Sequence, residues 1–263
     1  MKAPLINLLL GILLSSCGVE RVYTTGSYGS IKSYTEKQHF IDKKTTVTYV
    51  SGDVSFGKHS QDDGSFNDTK TIAAINIHRN TTGRFYNYYY GLGGAYGTYN
   101  FKEGYSDLIV KGEKSRFYTI NIKSGINYTY TRPKVDWRFI GLEFAYLNEF
   151  GPYQDKLSEL ELNTSNDGSL IIANQKSMFT FHLYSEYVFK ISDEKAFTVG
   201  FYLGDLLNYK NTDFYSDATF YSDTTGFSGL TLGLRLKKYA VNVIFETGQG
   251  DIKSSKIGLT YKL

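Results

Sequence analysis

One feature limits what this chain can fold into more than any other. Apolar and polar side chains alternate with a period of two from about residue 117 to the end, and again over 86–97. That period puts alternate side chains on opposite faces of a strand. In 119–130, Ile120, Ile122, Ile126, Tyr128 and Tyr130 share one face, against Asn121, Lys123, Gly125, Asn127 and Thr129. The pattern repeats with Ile140, Leu142, Phe144 and Tyr146, then with Phe179, Phe181, Leu183, Tyr187 and Phe189. It continues through Phe197 to Leu203, Leu230 to Leu236, Tyr239 to Phe245 and Ile257 to Leu263. Upstream, Tyr86, Tyr88, Tyr90, Leu92 and Tyr96 oppose a face of small residues that includes Gly91, Gly93, Ala95 and Gly97, with room for bulky side chains from the opposite wall. Two weaker strands precede these. Ala73, Ile75 and Ile77 mark one; in the other, Val47 and Tyr49 fall out of phase with Val54 and Phe56, which predicts a bulge at Ser51-Gly52. The sum is ten strands, or eight if the first hairpin stays outside, and no sustained helical period after residue 20. Trp137 is placed inward and Arg138 outward by parity.

The connections alternate in length. Short ones (80–83, 131–134, 190–195, 237–238) separate longer ones (58–69, 100–116, 148–175, 206–226, 247–255). Aromatic residues gather at both ends of the apolar face, around a middle of Ile, Leu, Val and Phe. Loop asymmetry and paired aromatic girdles are properties of outer-membrane barrels. Over about 45–263 the chain therefore resembles small bacterial outer-membrane β-barrel proteins. The resemblance implies an all-β, antiparallel, up-and-down transmembrane barrel. The final Leu263 departs from the terminal Phe common in that class, though the Ile-x-Leu-x-Tyr-x-Leu spacing is kept.

The first residues carry a second resemblance. Lys2 precedes an apolar run of about ten residues, too short to span a bilayer and of signal-peptide length. It ends in Leu14-Ser15-Ser16-Cys17, which resembles the lipobox of bacterial lipoproteins, and Cys17 is the only cysteine. The resemblance implies cleavage after residue 16 and acylation of Cys17. Residues 1–16 are then a signal peptide, 17–44 a periplasmic tether or a segment leading into the lumen, and 45–263 the barrel. An even number of strands puts both ends of the barrel on the short-turn side, so the lipidated N-terminus is expected in the periplasm. The richness in Lys, Asn, Tyr and Ile resembles that of AT-rich Bacteroidota.

Composition narrows the function. With 29 basic and 26 acidic residues the net charge is only +3, a near balance that argues against a nucleic-acid binder. Inward positions carry Lys123, Glu143, His182, Glu186, Arg235 and Glu246, which predicts a polar network filling a narrow lumen. His182 and Glu186, four apart on that face, are a candidate proton-shuttling pair. The loop 206–226 carries Tyr209, Phe214, Tyr215, Phe220 and Tyr221, an aromatic contact surface. Catalytic motifs are scarce: the four histidines form no HExxH and no GxSxG occurs. His59 with Asp62 and Asp63 resembles the rim groups of omptin proteases in residue type alone. No cofactor or metal is expected. The sequence reads as a non-catalytic, lipid-anchored outer-membrane barrel, a structural or interaction subunit whose partners are the bilayer and other outer-membrane proteins. A small-solute channel, a lipocalin-like soluble carrier with reversed faces and a rim hydrolase are the alternatives.

Overall fold

Ten antiparallel strands each pair with their neighbour in the chain, and the last pairs with the first to close a barrel. The computed structural model describes residues 21–40, 43–60, 67–102, 109–164, 170–208, 226–248 and 252–263. A short strand β1 (Arg21–Thr24) comes before the wall. The wall is β2 (Thr45–Ser60), β3 (Asn67–Thr82), β4 (Tyr86–Asn100), β5 (Lys114–Thr131) and β6 (Val135–Phe150), then β8 (Ser177–Lys190), β9 (Lys195–Leu206), β10 (Phe227–Leu236), β11 (Tyr239–Gly248) and β12 (Ile252–Lys262). Between β6 and β8 lie a helix, α1 (Pro152–Thr164), and a four-residue strand, β7 (Leu170–Ala173). Closure runs from Ile252 opposite His59 to Lys262 opposite Tyr49, so no wall strand has an open edge. Thr45 and Leu263 both lie at the short-turn end, where the Leu263 amide donates to the Thr48 carbonyl at 3.0 Å.

Four details differ from the sequence reading. First, β2 has no bulge: Val47, Tyr49, Ser51, Asp53 and Ser55 are all buried, while Val54 and Phe56 face out. The apolar residues change face because the lumen itself takes Val47 and Tyr49, and Tyr49 stacks on His78 at 5.1 Å. Second, the register shifts between β5 and β6, and between β6 and β8, near Arg138. Phe139 and Ile140 both face out there. The extra residue reverses parity below it, so Arg138 points into the lumen and Trp137 points out.

Third, α1 has no counterpart in the alternation pattern. Gly151, at φ 114°, turns the chain out of β6, and Pro152 starts the helix where its missing N–H costs nothing. Tyr153, Leu157 and Leu160 then bury one helical face. Fourth, residues 21–40, expected as a periplasmic tether or a segment leading into the lumen, run through the lumen and fill it. From Tyr23 to His39 all but Ile31 and Ser33 are buried. The parity argument places Thr45 correctly at the short-turn end. The segment before it doubles back inside the barrel, and its beginning, β1, pairs in parallel with β7 at the long-loop end.

Candidate functional site

The outer face is apolar. Ile75, Leu92, Ile120 and Ile122 are among its mid-strand residues, and Ile75 is 65% exposed. Tyr96, Tyr118 and Phe150 form an aromatic row at the long-loop end, Tyr96 tilted against Tyr118 at 5.6 Å and Tyr118 stacked on Phe150 at 5.7 Å. Trp137 stacks on Tyr187 at 5.4 Å at the other end. A soluble protein does not leave so continuous an apolar belt in water, and a bilayer covers it.

The inner face is polar and is matched by the segment inside it. Order along residues 21–40 follows depth through the barrel. At the long-loop end the Gly26 and Ser27 amides both donate to the Glu149 carboxylate at 2.8 Å, and Ser27 Oγ adds a third bond at 2.7 Å. Lys70 donates to the Tyr28 carbonyl, and Ser254 Oγ to the Gly29 carbonyl at 2.6 Å. Midway, Lys256 donates to the Ser30 and Lys32 carbonyls at 3.0 and 2.6 Å. Lys32 Nζ pairs with Glu143 at 3.2 Å, and Lys123 reaches the Ser33 carbonyl at 3.3 Å. Near the short-turn end Lys37 and Arg138 both pair with Glu186 at 2.9 Å. Arg138 also donates to the Lys37 carbonyl at 2.7 Å. Arg235 contacts Glu36 at 3.4 Å and His39. Thr82 Oγ1 donates to the Gln38 carbonyl at 2.9 Å. The molecule is a plugged transmembrane barrel.

Above the plug, β1, β7 and α1 share an apolar cluster with the wall. Tyr23 and Ile172 join Tyr153, Leu157 and Leu160 of the helix, together with Tyr99, Phe101, Ile109 and Phe117. Tyr153 OH donates to the Thr24 carbonyl at 2.8 Å, tying the helix to the plug. The small face of β4 makes room for neighbouring strands rather than for the opposite wall. A Cβ on Gly97 would sit 2.0 Å from the Phe117 ring, and one on Gly93 2.1 Å from Asn76 Oδ1.

The six expected lumen residues, Lys123, Glu143, His182, Glu186, Arg235 and Glu246, are all buried. Glu143 accepts from Tyr89 OH at 2.6 Å and lies 3.4 Å from His182 Nδ1. Tyr202 OH donates to Glu246. His182 and Glu186 are not brought together: His182 faces Glu143, and Glu186 is held by Lys37 and Arg138. Their spacing of four, a helical neighbour distance, separates them by two inward positions on a strand. His59 is buried at the end of β2, while Asp62 and Asp63 lie outside the described residues. So do Cys17 and the loop residues Tyr209, Phe214, Tyr215, Phe220 and Tyr221. Among the described residues no cluster of His, Cys, Asp or Glu is set to hold a metal.

Sequence reasoning missed Arg138 and the plug's own Lys32, Glu36 and Lys37. The bulge hid the first. The others lie in a polar stretch without a period, which gave no signal of its own.

No family model matches the chain, and no curated protein matches it. Solved barrels do. The β domain of the Bordetella autotransporter Brka is 10% identical, covers 82% of this chain and 98% of its own, and has a TM-score of 0.43. Neisserial surface protein A is 8% identical over 82% of this chain and 97% of its own, with a TM-score of 0.33. The translocator domain of the autotransporter NalP from Neisseria meningitidis is 9% identical over 83% and 88%, with a TM-score of 0.36. These are likenesses of general architecture and say nothing of role.

Proposed function

We propose that this plugged barrel is a non-conducting, non-catalytic outer-membrane protein that serves as a rigid structural or interaction platform. Its long loops face outward, as in outer-membrane barrels generally. In this reading Cys17 is acylated, and the loop aromatics Tyr209, Phe214, Tyr215, Phe220 and Tyr221 present a contact surface to other outer-membrane proteins. One observation carries the proposal: residues 21–40 run the length of the lumen and are bonded to the wall at both ends and in the middle. A solute would have to displace a segment held by several buried charge pairs. A filled, braced barrel under a capped loop end suits presentation better than passage.

The experiment is conductance in planar bilayers with purified protein whose folding is verified by heat-modifiable migration. A silent bilayer supports the platform reading. Discrete current steps from folded protein would replace it with the channel reading. Incorporation of labelled palmitate, lost in Cys17→Ala, tests the anchor separately.

A further inference from the structure

The path of the plug fixes where the chain begins relative to the membrane. β1 lies against β7 in the connection between β6 and β8, and that connection is at the long-loop end. Each later plug residue is bonded deeper in the barrel: Ser27 to Glu149, Lys32 to Glu143, Lys37 to Glu186, with Gln38 at Thr82 beside the first short turn. The chain therefore crosses the membrane once inside its own barrel, from the long-loop end to the short-turn end, before it starts the wall at Thr45.

From this we infer that the N-terminus of the mature protein, with the lipid on Cys17, is displayed at the long-loop face, and that the acyl chains enter the outer leaflet. The inference rests on the lipoprotein reading of Cys17. Its geometry comes from reach. Cys17 is four residues from Arg21, and four residues span at most about 14 Å, whereas the hydrocarbon core is about 30 Å thick. A lipid so placed cannot reach the leaflet at the short turns unless the plug is withdrawn. Withdrawal would uncouple Glu149, Glu143, Glu186 and Arg235 from the plug inside the wall. The protein is in this view a surface-facing lipoprotein that supplies its own passage: the barrel encloses the segment that connects the outer-leaflet lipid to the periplasmic start of the wall.

The test adds a thiol on either side of the plug, Val19→Cys and Lys43→Cys, to a chain whose Cys17 sulfur is blocked by its lipid thioether, keeps the wild type as the control that must not label, and exposes intact cells to a membrane-impermeant maleimide. Heat-modifiable migration verifies that each variant folds. Val19→Cys is expected to label in intact cells as fully as in permeabilised ones, and Lys43→Cys only after permeabilisation. Labelling of Val19→Cys only after permeabilisation overturns the inference. Wild type carries labelled palmitate in the same cells if the lipoprotein reading holds. Palmitate present with Val19→Cys inaccessible sinks the surface display alone. Palmitate absent removes the lipid and, with it, the leaflet assignment.

Discussion

The wall and the plug are built on opposite principles. In the wall, each strand bonds to its chain neighbours, and side chains sort by simple alternation into a lipid face and a lumen face. In the plug, residues 21–40 have no repeating partner, and nearly every bond reaches a wall residue far away in sequence. Ser27 meets Glu149, and Lys37 meets Glu186. The wall is a local solution repeated ten times, so a single error in it is confined. The plug is one distributed solution, in which each contact presupposes the finished barrel. Its charges are acceptable in the interior only because each is paired or hydrogen-bonded to the wall.

The largest way to break this contrast is to remove the plug. Deleting residues 21–40 is expected to leave a wall that still shows heat-modifiable migration but conducts ions, where the parent is silent; a deleted form that stays silent would mean the wall alone fills the lumen. Next comes Arg138→Ala. It strips Glu186 of one of its two cations and is expected to cost about 3–5 kcal/mol, the penalty for breaking a buried pair from one side, read as a lower midpoint of urea unfolding in lipid vesicles. Leu157→Ala opens a cavity under the cap and should cost about 2–5 kcal/mol, with hydrogen exchange accelerating in β1 and β7 and not in β11 or β12. Ile122→Arg puts a charge on the lipid face at mid-strand and should cost about 2–4 kcal/mol, without opening the plug to protease. The smallest effect belongs to Leu92→Ala. Lipid tails refill the space that the side chain leaves, so only the transfer of the lost methyl groups from water is forfeited and no cavity penalty is added; the stability should fall by no more than about 2 kcal/mol. If Leu92→Ala and Leu157→Ala cost the same, the exterior is packed against something more specific than lipid.

The same contrast explains what was legible in the sequence. Strand number, face assignment, loop asymmetry and girdles all follow from period-two patterning, and the barrel was readable from it. The lumen residues Glu143, Glu186 and Arg235 were readable too, because their parity is that of the strand. Their partners were not. Lys32, Glu36 and Lys37 stand in a polar stretch with no period, and their pairing is set by three-dimensional threading. Arg138 and Trp137 were exchanged because a bulge is invisible to parity counting until a partner strand is known. Tyr153, Leu157 and Leu160 did carry a helical spacing. It spans too few residues to stand out within a long connection, and Pro152 after Gly151 was its clearest mark.

The seam between β2 and β12 has a consequence for assembly. It joins residues some two hundred positions apart, the most distant neighbours in the wall. Loop-closure entropy is highest for such a pairing, which makes it a natural last step. The plug is attached to one side of that seam and must lie along the inner surface when the seam shuts. With the plug seated, Tyr49, Tyr89, Tyr184 and Tyr202 are all buried in the lumen, so a chain end bearing lipid would have to be drawn through a space that these rings line. The sheet is thus expected to curl around its occupant, like a sleeve rolled onto a rod and then buttoned.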